Sequence, residues 1–209
     1  MRMLLGSLVG INAMDVRDYT YYDRLRIPPP TVVDTWEVPA RCELFQLPSG
    51  QRDPFTSAYK TLTDTNMWLS GRLPSPRQFR VDRLFFLFDP RMAVADRERL
   101  TAGYVYELEV GSKIRHRGPL LRFPTVGDIK DFCDFDTPDP GDPILYKHCR
   151  RTGLKIEPPF CVNFEIPLVI ESEMSFCVAL VGTPFFVSAG GSGVSLWACL
   201  DGLGAFAVQ

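Results

Sequence analysis

Residues 104–114 have the sequence Tyr-Val-Tyr-Glu-Leu-Glu-Val-Gly-Ser-Lys-Ile, which carries the clearest secondary-structure signal in the chain. Apolar residues at every second position alternate with Val105, Glu107 and Glu109, and this period of two predicts a strand with one buried face. Gly111 and Ser112 then supply the two central residues of a type II′ turn, whose first position favours glycine. The stretch therefore predicts an antiparallel hairpin.

On both sides of this hairpin, short strand patterns are separated by proline, glycine and aspartate. Only residues 95–100 favour a helix, and the chain lacks the strand-helix-strand alternation of Rossmann and TIM-barrel folds. We therefore predict an all-β fold, an antiparallel β-sandwich or barrel, of which we favour the sandwich. The other predicted strands are 35–47 with a break near Pro39, 77–89, 118–123, 162–170, 174–180, 185–187, 194–200 and 203–208, the last two joined by a tight turn at Asp201 and Gly202.

The composition supports the same fold class. With 209 residues, of which 45% are hydrophobic and 12% aromatic, the chain has enough apolar material for one well-packed core. Its 18 prolines and 16 glycines interrupt the chain too often for a helical bundle. The net charge of −2 argues against nucleic acid as a partner bound by charge alone.

We divide the chain at residue 35. Residues 1–34 are predicted to form an N-terminal arm, in which the apolar stretch 3–11 is far shorter than the roughly 20 residues that span a bilayer. This stretch is expected to contact a neighbouring subunit or a membrane surface, and Pro28, Pro29 and Pro30 form a stiff spacer after it. Residues 35–209 form the predicted β-domain, in which residues 124–160 make a long acidic loop.

The charges are unevenly distributed along the chain. Residues 1–127 contain eighteen basic and fourteen acidic side chains, whereas residues 128–209 contain five and eleven. Two such halves are suited to lateral contacts between copies of the chain, although solvated faces would give the same pattern. Arg80 and Arg83 are expected on opposite faces of one strand, which argues against a nucleic-acid platform. The candidate interface residues are Arg80, Arg83, Arg115, Arg117, Asp131 and Asp134.

Motifs for catalysis are missing from the sequence. There is no nucleophile elbow, no phosphate-binding loop and no dinucleotide fingerprint, and the chain has only two histidines. His116, between Arg115 and Arg117, is predicted to be a surface histidine in a turn. We therefore predict a protein that is not an enzyme and carries no cofactor.

Two weak metal candidates lie in or beside the acidic loop. Asp134 and Asp136 are candidates for calcium, against the simpler interpretation of an unfilled acidic loop without the residue order of an EF-hand. Free thiols are the simpler interpretation of the scattered cysteines, and they indicate synthesis in a reducing cytoplasm. The candidate zinc ligands are Cys133, His148, Cys149 and Cys161.

Seven short segments form a recognisable series along the chain: 18–25 (DYTYYDRL), 60–67 (KTLTDTNM), 71–74 (GRLP), 103–113 (GYVYELEVGSK), 118–120 (GPL), 200–202 (LDG) and 208–209 (VQ). Together they resemble the jelly-roll capsid proteins of tailless icosahedral bacteriophages. The resemblance covers roughly residues 18–209 and rests on structural signatures. It implies an eight-stranded jelly roll of two four-stranded sheets, a homo-oligomeric shell, a place in the virion after synthesis in the host cytoplasm, and possible additional capsid proteins.

On this interpretation the chain acts through its surfaces. Arginine–carboxylate pairs and apolar contacts would join subunits head to tail, and the N-terminal arm would reach an adjacent subunit or an internal membrane. The main alternative is a carbohydrate-binding β-sandwich that stacks sugars on Trp36, Trp68 and Trp197, provided that these rings are exposed and coplanar. A hydrolase is a third alternative, for which no catalytic residues can be nominated.

Overall fold

The computed structural model describes residues 14–123, 161–189 and 191–207, with backbone only at residues 14 and 207. This part of the chain contains ten strands, one α-helix and a short 3-10 helix. In chain order they are β1 (Met14–Ile27), β2 (Glu37–Val38), β3 (Arg41–Leu44), β4 (Gln78–Phe88), α1 (Val94–Gly103), β5 (Tyr104–Val110), β6 (Lys113–Pro119), the 3-10 helix (Leu120–Arg122), β7 (Val162–Ile170), β8 (Phe176–Gly182), β9 (Phe185–Phe186) and β10 (Val194–Ala207).

The eight longer strands form two four-stranded sheets, and every pairing in them is antiparallel. The larger sheet has the order β1-β10-β4-β7, and the smaller sheet has the order β3-β8-β5-β6. The first long strand thus pairs with the last, the second with the seventh, the third with the sixth and the fourth with the fifth. β2 and β9 form a separate two-stranded ribbon. The prediction of an all-β fold with antiparallel sheets is confirmed.

The core lies between the two sheets, where inward-facing side chains from both are buried. Phe86 of β4 packs against Tyr106 of β5 at 5.8 Å between ring centroids, and Phe123 packs edge-on against both rings. In β5 the predicted apolar positions 104, 106, 108 and 110 are all buried. The hairpin from β5 to β6 is confirmed, and Gly111 has the positive φ of 66° that its turn position requires.

The turn predicted at Asp201 and Gly202 is wrong, because β10 continues through both residues. β10 pairs with β1 on one side and with β4 on the other, so interrupting it would break two ladders. The Asp-Gly pair instead lies opposite a β-bulge of β4, in which Asp82 is the extra residue. A Cβ on Gly202 would lie 1.9 Å from the carbonyl oxygen of Arg80, so only glycine fits this close approach.

Two further segments differ from their predictions. Residues 14–27 fall within the predicted arm but form β1, an edge strand of the larger sheet. Their alternation is hidden in the sequence because Asp23 occupies an inward position between the buried Tyr21 and Leu25. Residues 120–122 form a 3-10 helix where a strand was predicted. Residues 1–13 of the arm and the loop 124–160 lie outside the described residues.

Candidate interaction surface

The outer face of the smaller sheet carries a network of charged side chains. The Arg41 guanidinium lies 2.8 Å from Glu43, 3.3 Å from Glu107 and 2.7 Å from Glu109, and Arg117 forms a second ion pair with Glu107. The hydrogen bonds that Arg41 donates to Glu109 and Glu43 raise its pKa above the usual value. Because each carboxylate has an arginine partner, this face is largely neutralised within the chain.

The edge of the same sheet is different. β6 is the last strand of the sheet, and Lys113, Arg115, Arg117 and Arg122 are all exposed along it and its following helical turn. We call these four residues the basic edge. Of the four, Arg117 alone has a carboxylate partner among the described residues, Glu107.

Apolar side chains accompany the basic edge. Ile114 is 48% exposed and Leu121 is 68% exposed, so both are largely available for contact. The register also shifts between Ile114 and His116, which leaves Arg115 as the extra residue of a β-bulge. A bulge and several cations on an edge strand oppose pairing with another strand, so contacts at this edge are expected to use side chains.

Arg80 and Arg83, the other predicted cations, lie on the outer face of the larger sheet. The prediction that they project from opposite faces is wrong, because a register shift between Val81 and Arg83 changes the alternation. Val81 and Leu84, three residues apart, are both fully buried. Each arginine is paired within the chain: Arg80 donates to both oxygens of Asp82, at 2.9 and 2.8 Å, and Arg83 pairs with Asp201.

The larger sheet thus holds its two predicted cations in internal pairs, whereas the basic edge collects Arg115 and Arg117 with two further cations. Sequence reasoning placed Lys113 and Arg122 in a broadly basic region without identifying their shared edge. The predicted turn at Gly111 and Ser112 is the sequence signal that could have identified this edge, because it places Lys113 at the start of the strand that carries Arg115.

The acidic half of the predicted interface lies outside the described residues, as do most metal candidates. This applies to Asp131, Asp134, Asp136, Cys133, His148 and Cys149. Cys161 is described and buried, and its thiol donates to the side-chain oxygen of Asn163 at 3.4 Å. Within residues 14–123, 161–189 and 191–207, no cluster of three or more potential metal ligands is found.

His116 is part of β6, so the prediction that it lies in a turn is wrong. Its ring stacks on Tyr106 at 5.7 Å between centroids, and its Nδ1 lies 3.0 Å from the Tyr106 hydroxyl. Phe164 of β7 contacts the same imidazole ring in a T-shaped geometry, at 5.3 Å between centroids. Burial, with a contribution from Arg122, lowers the pKa of His116 below its usual 6.5. The contact shows that β6 and β7 border the same side of the sandwich.

The three tryptophans do not form one stacking surface. Trp36 is partly buried against the core, and Trp197 is covered by the Arg24 guanidinium, which lies 4.2 Å from its ring centroid. Trp68 is 70% exposed, with Arg77 5.7 Å from its ring.

A buried ion pair was not predicted from the sequence. The Lys60 ammonium lies 2.6 Å from Asp23 Oδ1, and both side chains are almost completely buried. Asp23 Oδ2 also accepts a hydrogen bond from the backbone N–H of Phe45 at 2.6 Å. Burial raises the pKa of Asp23, and the Lys60 charge opposes that change. Asp23 thus connects β1 to Lys60 through the ion pair and to the end of β3 through Phe45, which gives this pair the character of a structural link.

No protein-family profile matches the chain, and no curated protein matches it with significance. Among the described residues, no helix is both long and apolar enough to cross a bilayer.

Proposed function

We propose that this chain is a viral structural protein, the capsid subunit of an icosahedral bacteriophage, and that its β-sandwich is a single jelly roll. The observation that carries the proposal is the nested pairing of the eight long strands, first with last and so inward to the β5–β6 hairpin. A long hairpin that folds over on itself produces this order in two sheets, as expected for a double Greek key. The short segments that resemble phage capsid proteins support the same assignment.

Exposed apolar side chains support a role in assembly. Val32 and Val33 are almost completely exposed at the tip of a turn that is held by hydrogen bonds to Thr31, and Ile166 is 82% exposed on β7. Exposed apolar side chains contribute favourably to binding when a partner covers them and removes their surface from water. Repetition over many copies turns such weak contacts into a stable shell.

The arm is assigned a connecting role in this proposal. Residues 1–13, with their apolar stretch, would contact an adjacent subunit or an internal membrane of the virion. A deletion that tests this role must stop at residue 13, because residues 14–17 pair with residues 204–207 of β10. The truncated protein is expected to keep its fold and lose particle formation, and normal particles would refute the role of the arm.

The first experiment is to express the full chain and measure its mass in solution over a concentration series, with negative-stain electron microscopy of the product. Closed shells, or discrete oligomers that grow into shells, are the expected result. A strict monomer at every concentration, with or without co-expressed virion proteins, would refute the proposal.

The carbohydrate-binding alternative has less support. It needs several exposed aromatic rings on one face, whereas Trp197 is covered by Arg24 and Trp36 packs against the core. Binding of the monomeric protein to glycans on an array would favour the carbohydrate-binding function over the capsid function.

A further inference from the structure

We propose that the basic edge is a docking surface for the aspartate-rich segment 128–142 of a second copy of this chain, in a reciprocal two-fold contact. This inference rests on the proposed function, since a shell supplies the second copy. The sequence predicted a head-to-tail contact between the basic and acidic halves of neighbouring copies. The inference replaces it with a reciprocal contact between the basic edge and residues 128–142.

Charge complementarity is the first argument. Lys113, Arg115 and Arg122 are exposed and have no ion-pair partner among the described residues. Segment 128–142 contains six aspartates and a single lysine, the highest density of acidic residues in the chain. Unpaired cations facing such a segment would gain Coulomb energy and set the register of the contact.

The apolar residues match as well. Ile114 and Leu121 flank the exposed cations and are 48% and 68% exposed. Segment 128–142 carries Ile129, Phe132 and Phe135 between its aspartates. An interface with apolar side chains at its centre and charges around them has the usual composition of a specific protein contact.

The ends of the segment determine the symmetry. The described chain stops at Phe123, one residue beyond Arg122, and resumes at Cys161, immediately before β7. The 5.3 Å contact between His116 and Phe164 places β6 and β7 on the same side of the sandwich. The basic edge and the two described ends that border the segment therefore lie on one side of each copy. A two-fold axis at that side matches both pairs at once, as in an isologous interface.

The first test uses a fluorescent peptide of residues 126–144 with Cys133→Ser as the probe and the full-length protein as its target. In the edge variant, Lys113→Glu, Arg115→Glu and Arg122→Glu are combined, while Arg117 is kept because it neutralises Glu107. The control variant makes the same charge change on other surfaces: Arg26→Glu, Arg52→Glu and Arg72→Glu. We expect the edge variant to bind at least about tenfold more weakly and the control to bind within about twofold of the natural protein. Equal binding by the edge variant would refute the docking surface.

The second test determines whether the segment docks on the basic edge of a second copy or on the basic edge of its own chain. In the segment variant, Asp131→Lys, Asp134→Lys and Asp136→Lys are combined, so that it mismatches its own basic edge. Each variant alone is expected to stay monomeric, whereas an equimolar mixture forms heterodimers, because each reversed surface finds its complement on the other chain. A mixture that stays monomeric would refute the contact between copies.

Circular dichroism and thermal unfolding of all three variants check that the fold is intact. Failure of this inference differs from failure of the proposed function. Normal shells from the edge variant would refute the docking surface and leave the capsid subunit standing, whereas a natural protein that never assembles would refute the capsid proposal. In that case the peptide experiment still determines whether the edge binds the acidic segment.

Discussion

Substitution of Lys60 by methionine should destabilise the fold strongly, because it leaves Asp23 charged and buried without a counter-ion. Asp23 is 1% exposed, and its carboxylate lies 2.6 Å from the Lys60 ammonium. The ammonium also donates to the carbonyl oxygen of Arg24 at 3.0 Å. Methionine has a similar length and no charge, so the change removes the ion pair and keeps most of the volume.

Removal of one partner from a buried ion pair costs about 3–5 kcal/mol. A domain of ordinary stability has about 5–15 kcal/mol in total, so the Lys60→Met protein should retain its fold with a much smaller margin. At about 2–4 °C per kcal/mol, the expected decrease in Tm is about 6–20 °C. Urea unfolding followed by tryptophan fluorescence measures the free energy, and Lys113→Met, at an exposed lysine, is the control, expected within about 0.5 kcal/mol of the natural protein.

The pH dependence of the variant gives an independent check. Burial raises the pKa of Asp23, and loss of the opposing Lys60 charge raises it further. A carboxyl group with a raised folded pKa takes up a proton more readily in the folded state, so it favours folding below that pKa and less so as the pH rises through it. Lys60→Met should therefore recover part of its lost stability as the pH falls from neutral towards 3.8, the usual pKa of an aspartate.

A second substitution tests the reason for the cost. Asp23→Asn removes the buried charge and keeps an oxygen to accept the Phe45 N–H, so the double variant should be more stable than Lys60→Met alone. A cost below about 1 kcal/mol for Lys60→Met, or equal losses in the single and double variants, would refute the reasoning.

Three other predictions concern single residues. Gly202→Ala should destabilise the fold by about 1–3 kcal/mol or more in urea unfolding, because its Cβ would meet the Arg80 carbonyl oxygen, whereas Gly103→Ala, with open space around its Cβ, should have little effect. The lowered pKa of His116 means that the neutral ring is favoured in the folded state. The free energy of unfolding should therefore decrease as the pH falls from 6.5 through the lowered pKa, and His116→Gln should reduce this decrease. Burial raises the pKa of the Cys199 thiol to about 12, so iodoacetamide at pH 8 should label Cys199 in the unfolded protein and leave it unlabelled in the native one, as mapped by mass spectrometry.

The strands that could be predicted are those whose signal is local. Residues 77–89 and 162–170 carry continuous strand patterns, and β4 and β7 occupy nearly those ranges. β1 was missed because Asp23 interrupts its apolar positions, and the lysine that compensates for that charge is 37 residues away in the sequence. A non-local partner of this kind leaves no trace in the pattern of a single segment.

The same distinction explains the errors at the surface. Alternation places Arg80 and Arg83 on opposite faces, and only the pairing of β4 with its neighbours β10 and β7 reveals the shift between them. The Asp-Gly pair at residues 201–202 favours a turn in isolation, but two neighbouring strands hold β10 extended through it. Arg115 and Arg117 could be nominated because their hairpin is encoded locally. That they lie apart from the paired arginines of the larger sheet could not be predicted, because it depends on the pairing of distant strands.

The edges of the two sheets constrain how copies of this chain can meet. Free strand edges invite pairing with other chains, and each of the four edges carries a feature that opposes it. The Asn66 side chain occupies part of the β1 edge, accepting from the Tyr22 N–H at 2.9 Å and donating to the Thr20 carbonyl at 2.8 Å. β3 is only four residues long, and β7 contains Pro167.

β6 is the fourth edge, and a bulge and a row of cations oppose the addition of another strand to it. A bulge and a row of cations prevent strand addition but leave the side chains free to bind a complementary surface. A lateral contact at β6 would therefore depend on ion pairs at the protein surface, which salt screens over a Debye length of about 8 Å at physiological ionic strength. Assembly through the basic edge should for this reason weaken steeply with added salt, whereas contacts made by Val32 and Val33 should not.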